Sequence, residues 1–158
     1  MHYFYNGKTQ LKQTNIRRSS ILVRYLLYKL FIMDVEMAYR DWSSQYDSNV
    51  NKTRDLEAVA LKETLGLYQF EHCLELGCGT GKNTVWLSQI CQQITAVDLT
   101  KEMVEIAKTK INTSNISFVI ADINHEWNFV KREYDLATFS LVLEHIQDLH
   151  AIFKKLSK

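Results

Sequence analysis

Apolar positions recur along this chain with two different periods, and the change of period marks out its elements. Leu149, Ile152, Phe153 and Leu156 stand at i, i+3, i+4 and i+7, which is one face of a helix. Met103, Ile106 and Ala107 share a face within residues 100–110, where Thr100 occupies the capping position. Shorter apolar runs at residues 73–76, 93–97, 116–120 and 135–140 read as strands. Further helical patterns cover residues 34–46, 55–65 and 82–91, the second closed by Gly66. Strands separated by helices predict an α/β fold with parallel pairing and right-handed crossovers. The chain has no Pro, so none of these boundaries rests on that residue.

The first strand runs into Leu-Glu-Leu-Gly-Cys-Gly-Thr-Gly at residues 74–81, with Gly at every second position of the loop. Backbone without Cβ atoms lets a ligand approach closely. Asp98 ends the second strand, 21 residues after Gly77. A carboxylate at that strand tip is placed to accept hydrogen bonds from a ribose diol. The pair describes a pocket for an adenosine-containing molecule. The dinucleotide fingerprint G-x-G-x-x-G fails here, because Lys82 stands where its third Gly belongs. The phosphate loop G-x-x-x-x-G-K-[ST] fails at Leu76 and at Asn83.

At these residues the chain resembles the class I S-adenosylmethionine-dependent methyltransferases. Their glycine motif, hydrophobic-acidic-hydrophobic-G-x-G-x-G, is matched throughout residues 74–81. Asp98 matches the acidic residue that closes their second strand, and Phe118-Val119-Ile120-Ala121-Asp122-Ile123 matches a third motif. Residues 134–140 followed by Leu143-Glu144-His145-Ile146 match a fourth. The resemblance implies a Rossmann-like three-layer sandwich that binds S-adenosylmethionine as methyl donor. It implies that Glu75 orients the methionyl ammonium and that Gly77, Cys78 and Gly79 line the approach to the methionine and ribose. Asp98 would then hold the ribose, Leu99 and Met103 the adenine faces, and Asp122 with the Ile123 backbone the adenine edge. Ser140 would line the methionine end, and Tyr46 would shield the methyl group. The methyl acceptor, expected to be a small molecule, is not specified by any of these motifs.

The resemblance also implies a sheet of seven strands in the order 3-2-1-4-5-7-6. Residues up to Lys158 account for strands 3-2-1-4, so strands 5–7 are expected to be missing and the methyltransferase domain, residues 33–158, to be C-terminally incomplete. Strand 4 would be an edge, although its apolar character suits a central strand. An oligomer or a partner chain is the expected cover for it.

Charge separates the first part of the chain from the rest. Residues 1–33 hold six Lys or Arg and no acid, whereas the remainder holds 13 basic and 18 acidic residues. The body therefore offers no electrostatic footprint for nucleic acid. Residues 1–32 read as a basic leader or extension without a core role. An organelle transit peptide and a membrane-surface helix remain open for it. Arg24 and Lys29 interrupt its apolar run, which argues against a signal peptide. Three Cys without C-x-x-C spacing point to a reduced, cytoplasmic protein with neither disulfide framework nor zinc site. No metal is expected.

Methyl transfer from a sulfonium is a direct displacement, so orienting the acceptor can supply most of the acceleration. A base is needed only when the nucleophile must lose a proton. Glu144 and His145 are the weak candidates, with helix-terminus hydrogen bonding as the plainer role. Two other functions remain open: a non-catalytic S-adenosylmethionine-binding or interaction fragment, and a nicotinamide-dinucleotide domain.

Overall fold

A computed structural model describes residues 21–48, 50–146 and 148–157. The rest of the basic leader, residues 1–20, lies outside the described residues. The chain divides into two compact units, Met1–Asp34 and Val35–Lys158. Helix α1 (Ile21–Trp42) runs through Met33 without a break. It stops four residues short of the expected end, because i→i+3 bonds replace the helical pattern: Ser43 N–H donates to Arg40 O and Gln45 N–H to Trp42 O.

The second unit presents its elements in the expected order, with no helix among the described residues between the last two strands: α2 (Lys52–Leu65), β1 (Phe70–Leu76), α3 (Lys82–Leu87), β2 (Cys91–Asp98), α4 (Lys101–Lys110), β3 (Ile116–Ile120), β4 (Leu136–Phe139) and α5 (Leu149–Leu156). All pairings are parallel and the order is β3-β2-β1-β4. Cys73, Leu74, Glu75 and Leu76 of β1 stand opposite Ile94, Thr95, Ala96 and Val97 of β2. Among the described residues β4 pairs only with β1 and is the outer strand of the sheet on that side.

Strand alternation sends neighbouring residues to two separate cores. Cys73, Ile94 and Ala96 pack with Leu87, Ile90 and Cys91. Leu74, Leu76 and Val97 pack with Ile123 and Ile152. Both sheet faces are thus covered, as parallel strands require. The stripe read on the last helix is half realised: Ile152 is buried, whereas Leu149 and Phe153 remain exposed.

Three local expectations change. Helix α3 ends at Leu87 instead of residue 91, because Gln89 N–H turns back to Trp86 O and Ile90 N–H to Leu87 O, which frees Cys91 to start β2 opposite Phe70. Thr100 is the N-cap of α4 by position, but its side chain makes no capping bond; Asp98 Oδ1 accepts the Thr100 N–H instead, at 2.9 Å. Helix α2 begins earlier than read, because Asn51 accepts the Arg54 N–H at 3.0 Å and so caps it.

Candidate functional site

The glycine loop leaves the C-terminal end of β1 between two backbone anchors, with Gly77 N–H and Cys78 N–H both donating to Val97 O at 2.8 and 3.0 Å. Gly77, Gly79 and Gly81 all adopt positive φ, at 80°, 52° and 80°. Their surroundings differ. A Cβ on Gly77 would sit 2.8 Å from Val142 Cβ, and one on Gly81 would sit 2.8 Å from Ile111 Cδ1. Those two glycines permit close packing inside the protein. A Cβ on Gly79 would meet nothing within 4 Å. Gly79 alone therefore presents bare backbone to open space. Cys78 is buried beside it, and burial raises its thiol pKa, which favours the neutral form.

Asp98 closes β2 beneath this loop. Its Oδ2 accepts the Gly79 N–H at 2.8 Å and its Oδ1 accepts the Thr100 N–H at 2.9 Å. Burial raises its pKa, and these backbone bonds work against that shift. A carboxylate oxygen can accept more than one donor. The pinned group thus keeps acceptor capacity in a fixed direction.

Glu75 is fully buried in β1. Thr84 of α3 donates to its Oε2 at 2.6 Å, while its Oε1 has no partner in the structure. Burial, reinforced by the charges of Asp98 and Glu57, pushes its pKa up to about 8 against the Thr84 hydrogen bond. The folded state therefore binds this proton more tightly than the unfolded chain, whose ordinary value is 4.5. Its contribution to stability is present in full below about 4.5 and is lost as pH rises through about 8. Thermal midpoints measured across that window should decline more steeply for the wild type than for Glu75→Gln, which cannot ionise. Parallel curves for the two proteins would contradict this assignment.

The remaining sequence candidates divide. Leu99 is partly buried next to Asp98. Met103 is only 1% exposed, so it packs in the interior and offers almost no surface to an adenine. Asp122 Oδ1 accepts from Asn124 N–H at 2.9 Å and from Asn124 Nδ2 at 3.0 Å, closing a turn after β3. Ile123 is buried, and its carbonyl accepts from Trp127 Nε1 at 2.7 Å and Lys155 Nζ at 3.0 Å. Ser140, after β4, donates to Glu57 Oε1 at 2.9 Å and accepts from Asn83 Nδ2 at 2.8 Å. Asn83 also reaches Glu57 Oε2 at 3.0 Å, so three elements meet in one polar cluster. Leu141 follows at φ 52°, an unusual value for a non-Gly residue, in the turn that carries Val142 toward Gly77.

Aromatic residues from the N-terminal side face the segment after β4. Tyr39 Oη and His145 Nε2 lie 2.9 Å apart, their rings edge-on with centroids at 5.5 Å. Tyr46 lies 6.2 Å from the Tyr39 ring and under the Arg54 guanidinium at 4.6 Å. Its ring partners are thus Tyr39 and Arg54. Burial first, then coupling to the Tyr46 phenol and the negative charges of Glu144 and Asp98, hold the Tyr39 hydroxyl protonated, its pKa pushed up to about 12. Glu144 itself is exposed. Tyr39, Glu57, Asn83 and Thr84 escaped the sequence reading; of these, Thr84 alone had a local signal, its place one turn inside the helix after the glycine loop. A cavity of about 370 Å³ is lined by Asp47, Ser48, Val50, Arg54, Asp55 and Lys82, none of them a sequence candidate.

Residues 74–158 match the family model described as a methyltransferase domain. The chain belongs to this methyltransferase-domain family. Its methyltransferase domain is 39% identical over 87 residues to a malonyl-(acyl-carrier protein) O-methyltransferase of Priestia megaterium, covering 54% of this chain and 31% of that protein. It is 32% identical over 89 residues to nodulation protein S of Bradyrhizobium diazoefficiens, covering 52% of this chain and 41% of that protein. The chain thus spans about a third of the first of these relatives. Among solved structures, a DhpI-SAM-HEP complex superposes with a TM-score of 0.67 at 26% identity, covering 89% of this chain and 61% of that one. A DhpI-SAH complex gives 0.66 at 25%, covering 80% and 62%.

Proposed function

We propose that the methyltransferase domain binds S-adenosylmethionine at the C-terminal ends of β1 and β2 and serves methyl transfer to a small-molecule acceptor. The observation that carries this reading is the contrast within the glycine loop. Gly77 and Gly81 are explained by packing, whereas Gly79 faces open space beside the pinned Asp98 carboxylate. A ribose diol fits acceptors held in that way. The orphaned Glu75 Oε1 supplies a second point of fit, since a buried oxygen without a partner is costly until a donor reaches it. The methionyl ammonium, directly or through water, is such a donor. Its arrival would favour ionised Glu75, so affinity should rise with pH toward the Glu75 value of about 8.

When bound, S-adenosylmethionine supplies an electrophilic methyl on a sulfonium, which departs as a neutral thioether. The residues of this chain would then act by placement. Asp98 would fix the ribose, and Leu99 would meet the adenine. Asp122 accepts from Asn124 through Oδ1 and lies 3.6 Å from His125 Nε2 through Oδ2, so Asp122 would hold the turn and adenine recognition would fall on the Ile123 backbone. Ser140 would hold the loop after β4 through Glu57 and Asn83. Tyr46 and Tyr39 would cover the site from the N-terminal side. His145 is held at Nε2 by Tyr39, which favours positioning over general base action for this residue.

The relatives support a small or carrier-linked acceptor, since one is named for malonyl-(acyl-carrier protein). Calorimetry with S-adenosylhomocysteine and with NAD tests the reading. Saturable binding of the first and none of the second is expected. Equal affinity, or preference for NAD, would overturn it in favour of a dinucleotide domain.

A further inference from the structure

We infer that the N-terminal half of α1 docks on an anionic lipid surface, lying within the interface. Val23, Leu26, Leu27 and Leu30 are 43%, 51%, 62% and 64% exposed. Their spacing of i, i+3, i+4 and i+7 gathers them into one stripe roughly 100° wide. A run of large aliphatic side chains on one helix face, left this open to water, is a surface that some partner covers.

Charge decides which partner. Residues 1–33 carry Lys8, Lys12, Arg17, Arg18, Arg24 and Lys29 and no acid. Acidic residues begin at Asp34 and Glu36, beyond the most exposed part of the stripe. Basic charge and exposed leucines therefore coincide in one stretch of sequence. An anionic bilayer satisfies both, with leucines at the acyl boundary and Lys and Arg among the headgroups. A nucleic acid would meet the charge and leave the leucines in water. A second copy would cover the leucines but bring six positive charges against six. Among the described residues no helix is long and apolar enough to cross a membrane, so the contact is with a surface.

Flotation of the full 158-residue chain with phosphatidylcholine vesicles, plain or carrying roughly 30% phosphatidylserine, tests this. Partition into the anionic vesicles should exceed that into the neutral ones by on the order of tenfold or more. It should fall steeply at roughly 0.5 M salt, where screening shortens the reach of the surface potential. Leu26→Glu/Leu30→Glu should weaken it by about 10- to 100-fold, and Arg24→Glu/Lys29→Glu should abolish the preference for anionic lipid. These positions are in a helix and precede the residues that match the methyltransferase family model, 74–158, so circular dichroism and S-adenosylhomocysteine binding should match the parent. Absence of binding, equal binding to both vesicles, or full binding by the leucine variant would overturn the inference. So would light scattering that shows a dimer dispersed by the leucine variant without any vesicle binding, which would assign the stripe to a second copy.

Discussion

Replacing Asp98 with Ala is expected to weaken S-adenosylhomocysteine binding by on the order of 10- to 100-fold. The estimate follows from hydrogen bonds to a charged group, worth roughly 1.5–3 kcal/mol each, at about 1.4 kcal/mol per tenfold in affinity. Part of the loss is indirect. Asp98 also receives the Gly79 and Thr100 N–H groups, so the substitution releases the backbone that shapes the pocket. Asp98→Asn separates the two effects. Its amide oxygen can keep one backbone donor while the charge disappears, so its affinity should fall between those of wild type and the Ala variant. Calorimetry on variants shown to be folded by circular dichroism measures both. Wild-type affinity in Asp98→Ala would remove this residue from the site.

Two glycine substitutions should have opposite consequences. Gly77→Ala forces an alanine to φ 80° and drives its Cβ to 2.8 Å from Val142 Cβ. Left-handed backbone costs about 1–2 kcal/mol and overpacking about 1–3 kcal/mol more. Together these remove a large share of a domain stability on the order of 5–15 kcal/mol. The variant should melt many degrees lower or fail to accumulate. Gly79→Ala meets no neighbour within 4 Å and carries only the backbone term at φ 52°. It should stay folded with a modestly lower midpoint, yet lose most ligand affinity because its methyl group occupies the approach to the loop. Thermal melts and calorimetry on the two proteins check the contrast. A stable Gly77→Ala, or a Gly79→Ala that binds normally, would contradict the division of roles drawn between packing glycine and open glycine.

The fold was legible where the sequence carries a local period. Four apolar runs and their spacing predicted the four parallel strands, and the glycine motif with Asp98 marked the candidate site at the ends of β1 and β2. Element ends were less legible, because they depend on individual turns. Helix α3 stops at Leu87 through short-range bonds that no hydrophobic period reports. Met103 illustrates another limit. A stripe on a helix says that a residue is inside, and Met103 proved to be inside the core with almost no surface for a ligand. Asp122 shows that a carboxylate at a strand end can also close its own turn.

Contacts between distant positions were invisible to such patterns. Tyr39 meets His145 across 106 positions, and Ser140 meets Glu57 across 83. Neither pair has a spacing signature, since only tertiary packing brings them together. The resemblance to methyltransferases could name Tyr46 and Ser140 as candidates, but their partners Arg54, Glu57 and Asn83 emerge from the fold.

Backbone amide NMR of the 158-residue chain, titrated with S-adenosylhomocysteine, tests the central claim most directly. The account predicts saturable shifts that concentrate at Gly79, Leu99 and Ile123, with the Gly79 amide among the most affected because it donates to Asp98. Absence of shifts at saturating ligand, or shifts confined to residues away from the β1 and β2 ends, would contradict it.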